Sequence, residues 1–333
     1  MSDATISSPK ACQTEMTDRE AMGLPESYVD NRFASSCVHF SNLRAATNEE
    51  LISIFCKASQ PLETRYAAAS LLGLYGDPRL IAAKPAMVTI PKGVYQIGIS
   101  KAEAEKVTKE YELVGVELAW IMKEVPQHDQ QIDAFEIAKY PVTNQEYREF
   151  LLETGFSELP TAWPLGIYPI EKANHPVHTV SLVAIDAYIS WLNSKTGAGY
   201  RLPTEAEWEA AASGINHSQF PWGNTFDAIR TNTVETKIYQ TTPVGIFPNG
   251  ISQFGVHDMA GNVEEYVACN YKPYDGGELQ VDHLNENTDK YRVARGGSFA
   301  RFADLARTPR RHGKFPKFDR DIFAMGFRLA RTI

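Results

Sequence analysis

The sequence has few cysteines, and their spacing matches no metal-binding or redox motif. Its 333 residues contain four of them, Cys12, Cys37, Cys56 and Cys269, and no Cys-x-x-Cys pair. A zinc ribbon or a disulfide framework is therefore not expected, and the pattern is typical of a protein of the reducing cytoplasm. The chain also shows no charged start followed by an apolar stretch and a small-residue cleavage site, so no signal peptide is predicted.

Long apolar runs and an excess of positive charge are absent as well. Without an apolar run of membrane-spanning length, no transmembrane helix and no membrane partner are expected. The formal net charge of −8 and the pI of about 5.6 argue against nucleic acid as a partner. What the chain does have is 43% apolar residues, enough to fill a sizeable core. Its 22 glycines and 19 prolines predict many turns and irregular loops.

Composition and helix signals divide the chain into three predicted parts. Residues 1–30 are polar and aperiodic and are predicted to be a flexible leader. Residues 31–85 contain two short helical patterns and are predicted to form a small helical arm. Residues 86–333 alternate between short strand patterns, helices and Gly/Pro turns, and are predicted to be one α+β domain.

Several helix starts carry a capping box, in which a Ser or Thr is followed three residues later by Glu. The caps are Thr47, Ser100, Thr143 and Thr204. The helix after Ser100 is expected to continue to about Lys123, and Gln131–Tyr140 is expected to be one strand. No internal repeat and no Gly-x-Gly-x-x-Gly loop is present.

The segment Gly255–Tyr266 concentrates the polar chemistry of the domain. It places the carboxylates of Asp258 and Glu265 around a glycine-containing turn, beside apolar residues. Oxygen ligands crowded on such a loop are what a hard cation such as calcium requires. The segment is therefore predicted to be more than a connector.

Ordered motifs over about residues 86–331 resemble the formylglycine-generating enzyme (sulfatase-modifying factor) superfamily. The resemblance implies a single α+β domain related to the C-type-lectin fold, with little regular secondary structure. The motifs are Ile90–Gly98, Pro141–Asn144, Arg201–Glu209, Pro221–Gly223, Pro243–Gly245, Gly261–Glu265, Arg295–Ser298 and Gly326–Arg328.

The resemblance also implies a structural calcium ion. Its ligands would be the side chains of Asp258 and Glu265 and the backbone carbonyls of Gly261 and Val263. The alternative is a tight turn that is satisfied by its own hydrogen bonds.

Departures from the family pattern argue against sulfatase activation. The two cysteines that bind copper(I) in the formylglycine-generating enzyme correspond here to Arg301 and Ala306, and Cys269 lies elsewhere. Since thiolates select Cu(I), this chain cannot hold it in the same way. The sulfoxide synthases of the superfamily take iron ligands from an extra helical domain with several histidines. That branch is also disfavoured, because the arm has only His39.

Other departures suggest a different metal site. The family usually has Trp at the position of Glu264 and Tyr or Trp at the position of His257. Together with His312, these residues could hold a redox metal such as iron, cobalt, copper or manganese. The alternative is that Glu264 pairs with a nearby arginine and that His257 is an ordinary core histidine.

The segment 301–320 replaces the cysteine loop with a basic one. Arg301, Arg307 and Arg310 are predicted to position a small anionic or heteroaromatic substrate, with His178 as a further contact. The alternative is a solvated surface that balances an acidic protein. The basic residues are Arg301, Arg307, Arg310, Arg311, His312, Lys314, Lys317 and Arg320.

These observations lead to a predicted function. The resemblance implies an oxidase or oxygenase that uses dioxygen on a small molecule, because family members of this build act in secondary-metabolite pathways. On general build, the toxoflavin pathway is the specific candidate. His257, Glu264 and His312 would hold a metal or move protons, with Ser298 at the oxygen pocket or merely supporting its turn. The alternative is a non-enzymatic, lectin-like ligand-binding module. Arg295 and Arg328 are predicted to be buried ion-pair partners rather than catalysts.

Overall fold

The computed structural model describes residues 16–30, 36–282, 284, 291–314 and 323–333. Cys12, Lys317 and Arg320 lie outside the described residues. Among the described residues, no helix combines the length and apolar character needed to cross a membrane. The α-helices are α1 (Asp18–Ala21), α2 (Ser36–Leu43), α3 (Asn48–Cys56), α4 (Leu62–Tyr75), α5 (Lys101–Glu110), α6 (Leu118–Ile121), α7 (Asn144–Thr154), α8 (Leu182–Thr196) and α9 (Glu205–Ser213).

The predicted capping boxes are all confirmed. In α3, α5, α7 and α9 the cap hydroxyl accepts a hydrogen bond from the backbone N–H three residues on, and the Glu there accepts one in return. The prediction of one helix from Ser100 to Lys123 was wrong. Helix α5 ends at Glu110, and Gly115 has a φ of 82°, a left-handed conformation that interrupts the helix. The chain then continues through short turns of 3-10 helix and α6.

The strands are short and form three small sheets. Strands β1, β4 and β9 form one, β2 and β3 a second, and β7, β6, β5 and β8 the third, in that order. The single strand predicted over Gln131–Tyr140 is replaced by β3 and β4. The strands are β1 (Met87–Ile90), β2 (Gly93–Ile97), β3 (His128–Ile132), β4 (Phe135–Ala138), β5 (Glu264–Asn270), β6 (Arg292–Arg295), β7 (His312–Gly313), β8 (Met325–Phe327) and β9 (Ala330–Thr332).

The helical arm is docked against the domain. Its helices α3 and α4 share a buried apolar cluster with Ile238, Ile246 and Phe247. The buried guanidinium of Arg65 donates to the carbonyl of Ile246, and Asn174 donates to the carbonyl of Ala69. The arm is therefore part of the packed structure rather than a free appendage.

The described part of the predicted flexible leader also packs on the domain. Ala21 and Met22 are buried in the main core, 3% and 8% exposed. The guanidinium of Arg19 donates to the carbonyls of Pro25, Glu26 and Tyr28, which closes the segment on itself. Residues 16–30 thus contribute apolar side chains to the main core, and the three-part division of the chain stays a prediction.

Candidate functional site

Strand β5 places Glu264 and Glu265 on opposite faces of the four-stranded sheet, because successive side chains of a strand alternate. Across the sheet, Tyr266 of β5 pairs with Ala294 of β6, and Ala294 pairs with His312 of β7. Paired residues share a face, and Glu264 shares the face of Tyr266 two residues on. The register therefore brings Glu264 and His312 together and turns Glu265 away from them.

Glu264 and His312 form a buried hydrogen-bonded pair. The distance from His312 Nδ1 to Glu264 Oε2 is 2.6 Å, and Arg301 Nε lies 3.4 Å from Glu264 Oε1. Burial lowers the pKa of His312, although the neighbouring carboxylate acts in the opposite direction. Burial alone would raise the pKa of Glu264, but His312 and Arg301 outweigh it and the pKa is lowered. The pair is therefore a carboxylate beside a neutral imidazole at neutral pH.

The tautomer of His312 follows from this pairing. An ionised carboxylate only accepts hydrogen bonds, so His312 Nδ1 carries the proton that it donates to Glu264. Nε2 then bears the lone pair and is the nitrogen that can accept a proton. The ring of Phe323 lies beside both His312 and Arg301: it is parallel to the imidazole within 4°, and its centroid is 4.7 Å from the guanidinium carbon.

His312 lines a narrow cavity together with Arg301, Arg310, Lys123 and Ala21. Its volume of about 30 Å³ has room for roughly two water molecules. Burial lowers the pKa of the Lys123 ammonium to about 8, against the opposing effect of Asp282. We call this space the candidate-site cavity.

The arginines of the basic segment are buried rather than solvated. Around the candidate-site cavity, six described cations each have a carboxylate oxygen within 4.0 Å, and the six carboxylates balance them. With His312 neutral, this cluster carries no excess charge. The cations are Lys123, Arg295, Arg301, Arg307, Arg310 and Arg311, and the carboxylates are Glu124, Glu205, Glu209, Glu264, Asp282 and Asp304.

This pairing changes the interpretation of the predicted substrate contacts. Both oxygens of Glu124 accept from Arg307 Nη2, at 2.6 and 2.8 Å, and Arg310 Nε lies 3.7 Å from Asp304. The solvated-surface alternative is wrong for residues 301–312, which are buried. Arg307 does not line the candidate-site cavity, whereas Arg301 and Arg310 do.

His257 does not join Glu264 and His312. Its ring packs against Tyr140, with centroids 5.1 Å apart, and its carbonyl accepts from Arg328 on the Glu265 face of the sheet. Among the described residues, no group of three His, Cys, Asp or Glu side chains could hold a metal ion. The described contacts bring Glu264 and His312 together and place the His257 ring against Tyr140, so the three-residue redox-metal site stays a prediction. His257 fits the alternative of a core histidine, with burial lowering its pKa to about 3.

The two carboxylates of the predicted calcium set, Asp258 and Glu265, accept hydrogen bonds from protein donors. Arg328 donates to Glu265 Oε2 at 2.5 Å and to Oε1 at 2.6 Å, and Trp208 Nε1 also donates to Oε2 at 2.7 Å. A guanidinium in this position takes the oxygens and the charge that a calcium ion would need. The side chains therefore do not fit the calcium set of Asp258, Gly261, Val263 and Glu265, and they match the alternative of a self-satisfied turn.

Asp258 supports the same conclusion. Its Oδ2 accepts from the backbone N–H of Gly245 at 2.6 Å, and Oδ1 accepts from Asn262 at 3.3 Å. Burial raises the pKa of this carboxyl to about 6, with the two hydrogen bonds and Arg328 acting in the other direction. Both oxygens are thus engaged within the turn.

Ser298 and His178 border the site without entering its polar cluster. Ser298 is fully buried, and its hydroxyl accepts a hydrogen bond from the N–H of Ala300 at 3.4 Å. This contact agrees with the alternative that Ser298 supports its turn. The ring of His178 packs edge-on against Phe299, 6.0 Å between centroids, and burial lowers its pKa to about 4. Among the described residues, His178 Nδ1 has no hydrogen-bond partner.

His178 should make the protein sensitive to acid. Its pKa is about 4 in the fold, below the ordinary value, so the unfolded chain binds the proton first as the pH falls. The stability contribution is present above about pH 6.5 and is lost between there and pH 4. Replacing His178 with Gln should reduce the fall in unfolding free energy between pH 7.5 and 4.5 by on the order of 2 kcal/mol, measured by urea denaturation. An unchanged fall would contradict the prediction.

Sequence reasoning missed the carboxylates that hold the arginines. Glu205 and Glu209 lie one helical turn apart on α9 and both bind Arg295, and Glu205 also binds Arg311 at 2.7 and 2.8 Å. Their spacing in the Arg201–Glu209 motif was a signal for an inward-facing acidic stripe. Glu124 had no comparable signal, because it is a single carboxylate after the apolar run Leu118–Met122.

Comparison with known proteins agrees with this fold. The chain is 26% identical to the protein PvdO from Pseudomonas aeruginosa, whose structure matches with a TM-score of 0.57 over 75% of this chain and 95% of that one. It is 30% identical over 259 residues to a hercynine oxygenase of Mycolicibacterium thermoresistibile, 66% of this chain and 56% of that protein. The chain thus spans about half the length of the hercynine oxygenases that it matches.

A third relative is the inactive C-alpha-formylglycine-generating enzyme 2 of Mus musculus. It is 28% identical over 320 residues, which cover 79% of this chain and 92% of that protein. The family model for the sulfatase-modifying factor enzyme 1-like domain matches residues 77–333. The predicted α+β fold is confirmed, and the chain belongs to the sulfatase-modifying factor (formylglycine-generating enzyme) family.

Proposed function

We propose that this protein is an oxidase or oxygenase that uses dioxygen on a small heteroaromatic molecule, with His312 as proton acceptor. The observation that carries the proposal is the imidazole on the candidate-site cavity whose Nδ1–H is bonded to buried Glu264 at 2.6 Å. A histidine oriented by a carboxylate is a common general base, because the carboxylate sets the tautomer and stabilises the imidazolium.

Each member of the site has a role in this proposal. His312 Nε2 accepts a proton from a substrate N–H or O–H as the substrate is oxidised, and dioxygen accepts the electrons. Glu264 holds the imidazole and stabilises its charge, and Arg301, 3.4 Å away, keeps Glu264 ionised. Arg310 and Lys123 line the same cavity as hydrogen-bond donors.

Charge balance favours a heteroaromatic substrate over an anion. Each cation that the structure describes around the candidate-site cavity has a carboxylate oxygen within 4.0 Å, so an anion would meet no surplus of positive charge from these residues. At about 30 Å³ the cavity has room for dioxygen but not for a ring, so substrate entry requires a wall to move. Ala21 is the wall residue contributed by the N-terminal segment.

The relatives named hercynine oxygenases support oxygen chemistry on a small molecule. Metal dependence stays a prediction, because the described residues do not assemble the three-ligand set. Secondary metabolism as the pathway, with toxoflavin biosynthesis as the specific candidate, and a cytoplasmic location also stay predictions.

The second candidate function is a non-enzymatic ligand-binding module. The mouse relative named inactive shows that membership of this family does not by itself imply catalysis. In that case the Glu264–His312 pair would help to bind the ligand, because His312 Nε2 would accept a hydrogen bond from it.

Oxygen uptake distinguishes the two. We would measure the metal content of the purified protein, then follow oxygen consumption with hercynine and a panel of imidazoles, purines and pteridines, with and without added Fe(II), Co(II), Cu(II) or Mn(II). Uptake that depends on one compound supports the oxidase. Saturable binding of a panel compound without oxygen uptake under any metal condition would favour the binding module, and calcium as the sole metal would remove the redox-metal prediction.

A further inference from the structure

A second cavity lies between helix α5 and the loop that follows α9. Its volume is about 280 Å³, close to the lower end of small-molecule sites at roughly 300 Å³. Helix α5 contributes Glu103, Lys106 and Glu110, at helical positions i, i+3 and i+7, which form one stripe along the helix. We call this space the α5 cavity.

The α5 cavity has an aromatic side. Tyr111 and Phe220 line it, and Phe220 is held by Trp222, whose ring is stacked on it at 5.4 Å. Rigid rings in such a position offer contact area to an apolar group at little entropic cost. An occupant therefore has an apolar part.

Two residues of the lining, Arg307 and His217, each have a buried hydrogen-bond donor for which the described residues supply no acceptor. Arg307 is fixed by Glu124 and by Gln219, yet its Nε–H has no partner among the described residues. His217 Nδ1 lies 3.2 Å from the amide nitrogen of Gln127 and accepts its proton, so Nε2 carries the imidazole proton. That N–H likewise has no hydrogen-bond partner in the described part of the chain, with Glu209 at 4.0 Å.

Two unpaired buried N–H groups call for an acceptor, because buried donors are rarely left without one. Lys106 is exposed on the rim of the cavity. It adds a positive charge between Glu103 and Glu110 on the same face of helix α5. The lining therefore presents donors and a cation for an anionic group, and two carboxylates for a cationic group.

We infer that the α5 cavity binds a small amphoteric molecule of the α-amino acid class with an apolar or aromatic side chain. The carboxylate is bound by Lys106 and by the N–H groups of Arg307 and His217. The ammonium group faces Glu103 and Glu110, and the side chain packs on Tyr111 and Phe220. This site is separate from the candidate-site cavity and does not depend on the proposed oxidase function.

The test is isothermal titration of the full chain with phenylalanine, tyrosine, leucine, phenethylamine and 3-phenylpropionate. At least one amino acid should bind. Phenethylamine, which lacks the carboxylate, and 3-phenylpropionate, which lacks the ammonium, should each bind about tenfold more weakly than phenylalanine. Equal affinities for these three compounds, or no binding of any amino acid at concentrations up to about 10 mM, would overturn the inference.

Variants locate the site. Lys106→Met and Glu110→Gln should each weaken the amino acid about three- to tenfold, through loss of one charged contact. Lys109→Met and Glu105→Gln remove the same charges from exposed positions of α5 that do not line the cavity, and should leave the affinity unchanged. Equal weakening by both pairs of variants, or by neither, would place the amino acid elsewhere and overturn the assignment.

Discussion

Replacing Glu265 with glutamine is expected to lower the free energy of unfolding by about 3–5 kcal/mol. Glu265 is 1% exposed and accepts two hydrogen bonds from Arg328 and one from Trp208. Without the carboxylate, the fully buried Arg328 guanidinium would keep its charge with no compensation. Urea denaturation monitored by tryptophan fluorescence measures the loss.

The matched control is Glu136→Gln. Glu136 pairs with Arg331, but both side chains are partly open to solvent, at 18% and 32% exposed, so the expected loss is below about 1 kcal/mol. The double variant Glu265→Gln, Arg328→Met should lose less than the sum of the single variants, because it removes both partners together. Similar losses for Glu265→Gln and Glu136→Gln would contradict a stabilising role of the buried Arg328–Glu265 ion pair.

The same measurement shows whether Glu265 is held by Arg328 or by a bound calcium ion. If Arg328 satisfies Glu265, the unfolding midpoint of the natural sequence should not change with EDTA or with added calcium, since no bound ion contributes. A midpoint that falls in EDTA and recovers with calcium would restore the predicted ligand set. In that case Asp258→Asn should abolish the calcium dependence.

The second large effect concerns catalysis and rests on the proposed oxidase function. His312→Ala should lower the rate of oxygen uptake about 10²–10⁴-fold, the usual contribution of a general base. Glu264→Gln should lower it as well, because the neutral amide neither raises the pKa of His312 nor stabilises the imidazolium. Oxygen-electrode rates with the compound that supports uptake provide the measurement.

The pH profile separates this role from a structural one. The base is active when neutral, and its pKa is lowered, so the rate should be flat from pH 8 to 6.5 and fall only at more acidic pH. In Glu264→Gln the acidic fall should move to lower pH, since the carboxylate no longer raises the pKa. The control is His128→Gln, whose imidazole bonds the carbonyl of Pro126 outside the cavity. A rate loss in His128→Gln as large as in His312→Ala would count against a specific role for His312.

Local sequence signals predicted much of the framework correctly. The capping boxes at Thr47, Ser100, Thr143 and Thr204 act within four residues of chain, so neighbouring residues alone determine them. The assignment of Arg295 and Arg328 as buried ion-pair partners was confirmed by their contacts with Glu205, Glu209 and Glu265. The sequence thus identified Arg295 and Arg328 as ion-pair residues, although it did not show which carboxylates they would contact.

The composition of the candidate site was only partly predictable. Glu264 and His312 were chosen as unusual residues in their motifs, and they do meet. His257 was grouped with them on the same grounds, but its ring packs against Tyr140. Residue type alone could not separate the three residues, because their distances from one another depend on the folded chain.

The sequence by itself determined the family, the α+β fold and the capped helix starts, and it singled out Glu264 and His312 without separating them from His257. Only the tertiary structure decided the pairing of Glu264 with His312, the burial of the arginines of residues 301–311, the docking of the arm and the occupation of Glu265 by Arg328 and Trp208. The physical reason is the range of the interactions. Caps and turns depend on neighbours in sequence, whereas the partners of Arg307 and Arg311 lie 183 and 106 residues away, and only the folded chain brings them into contact.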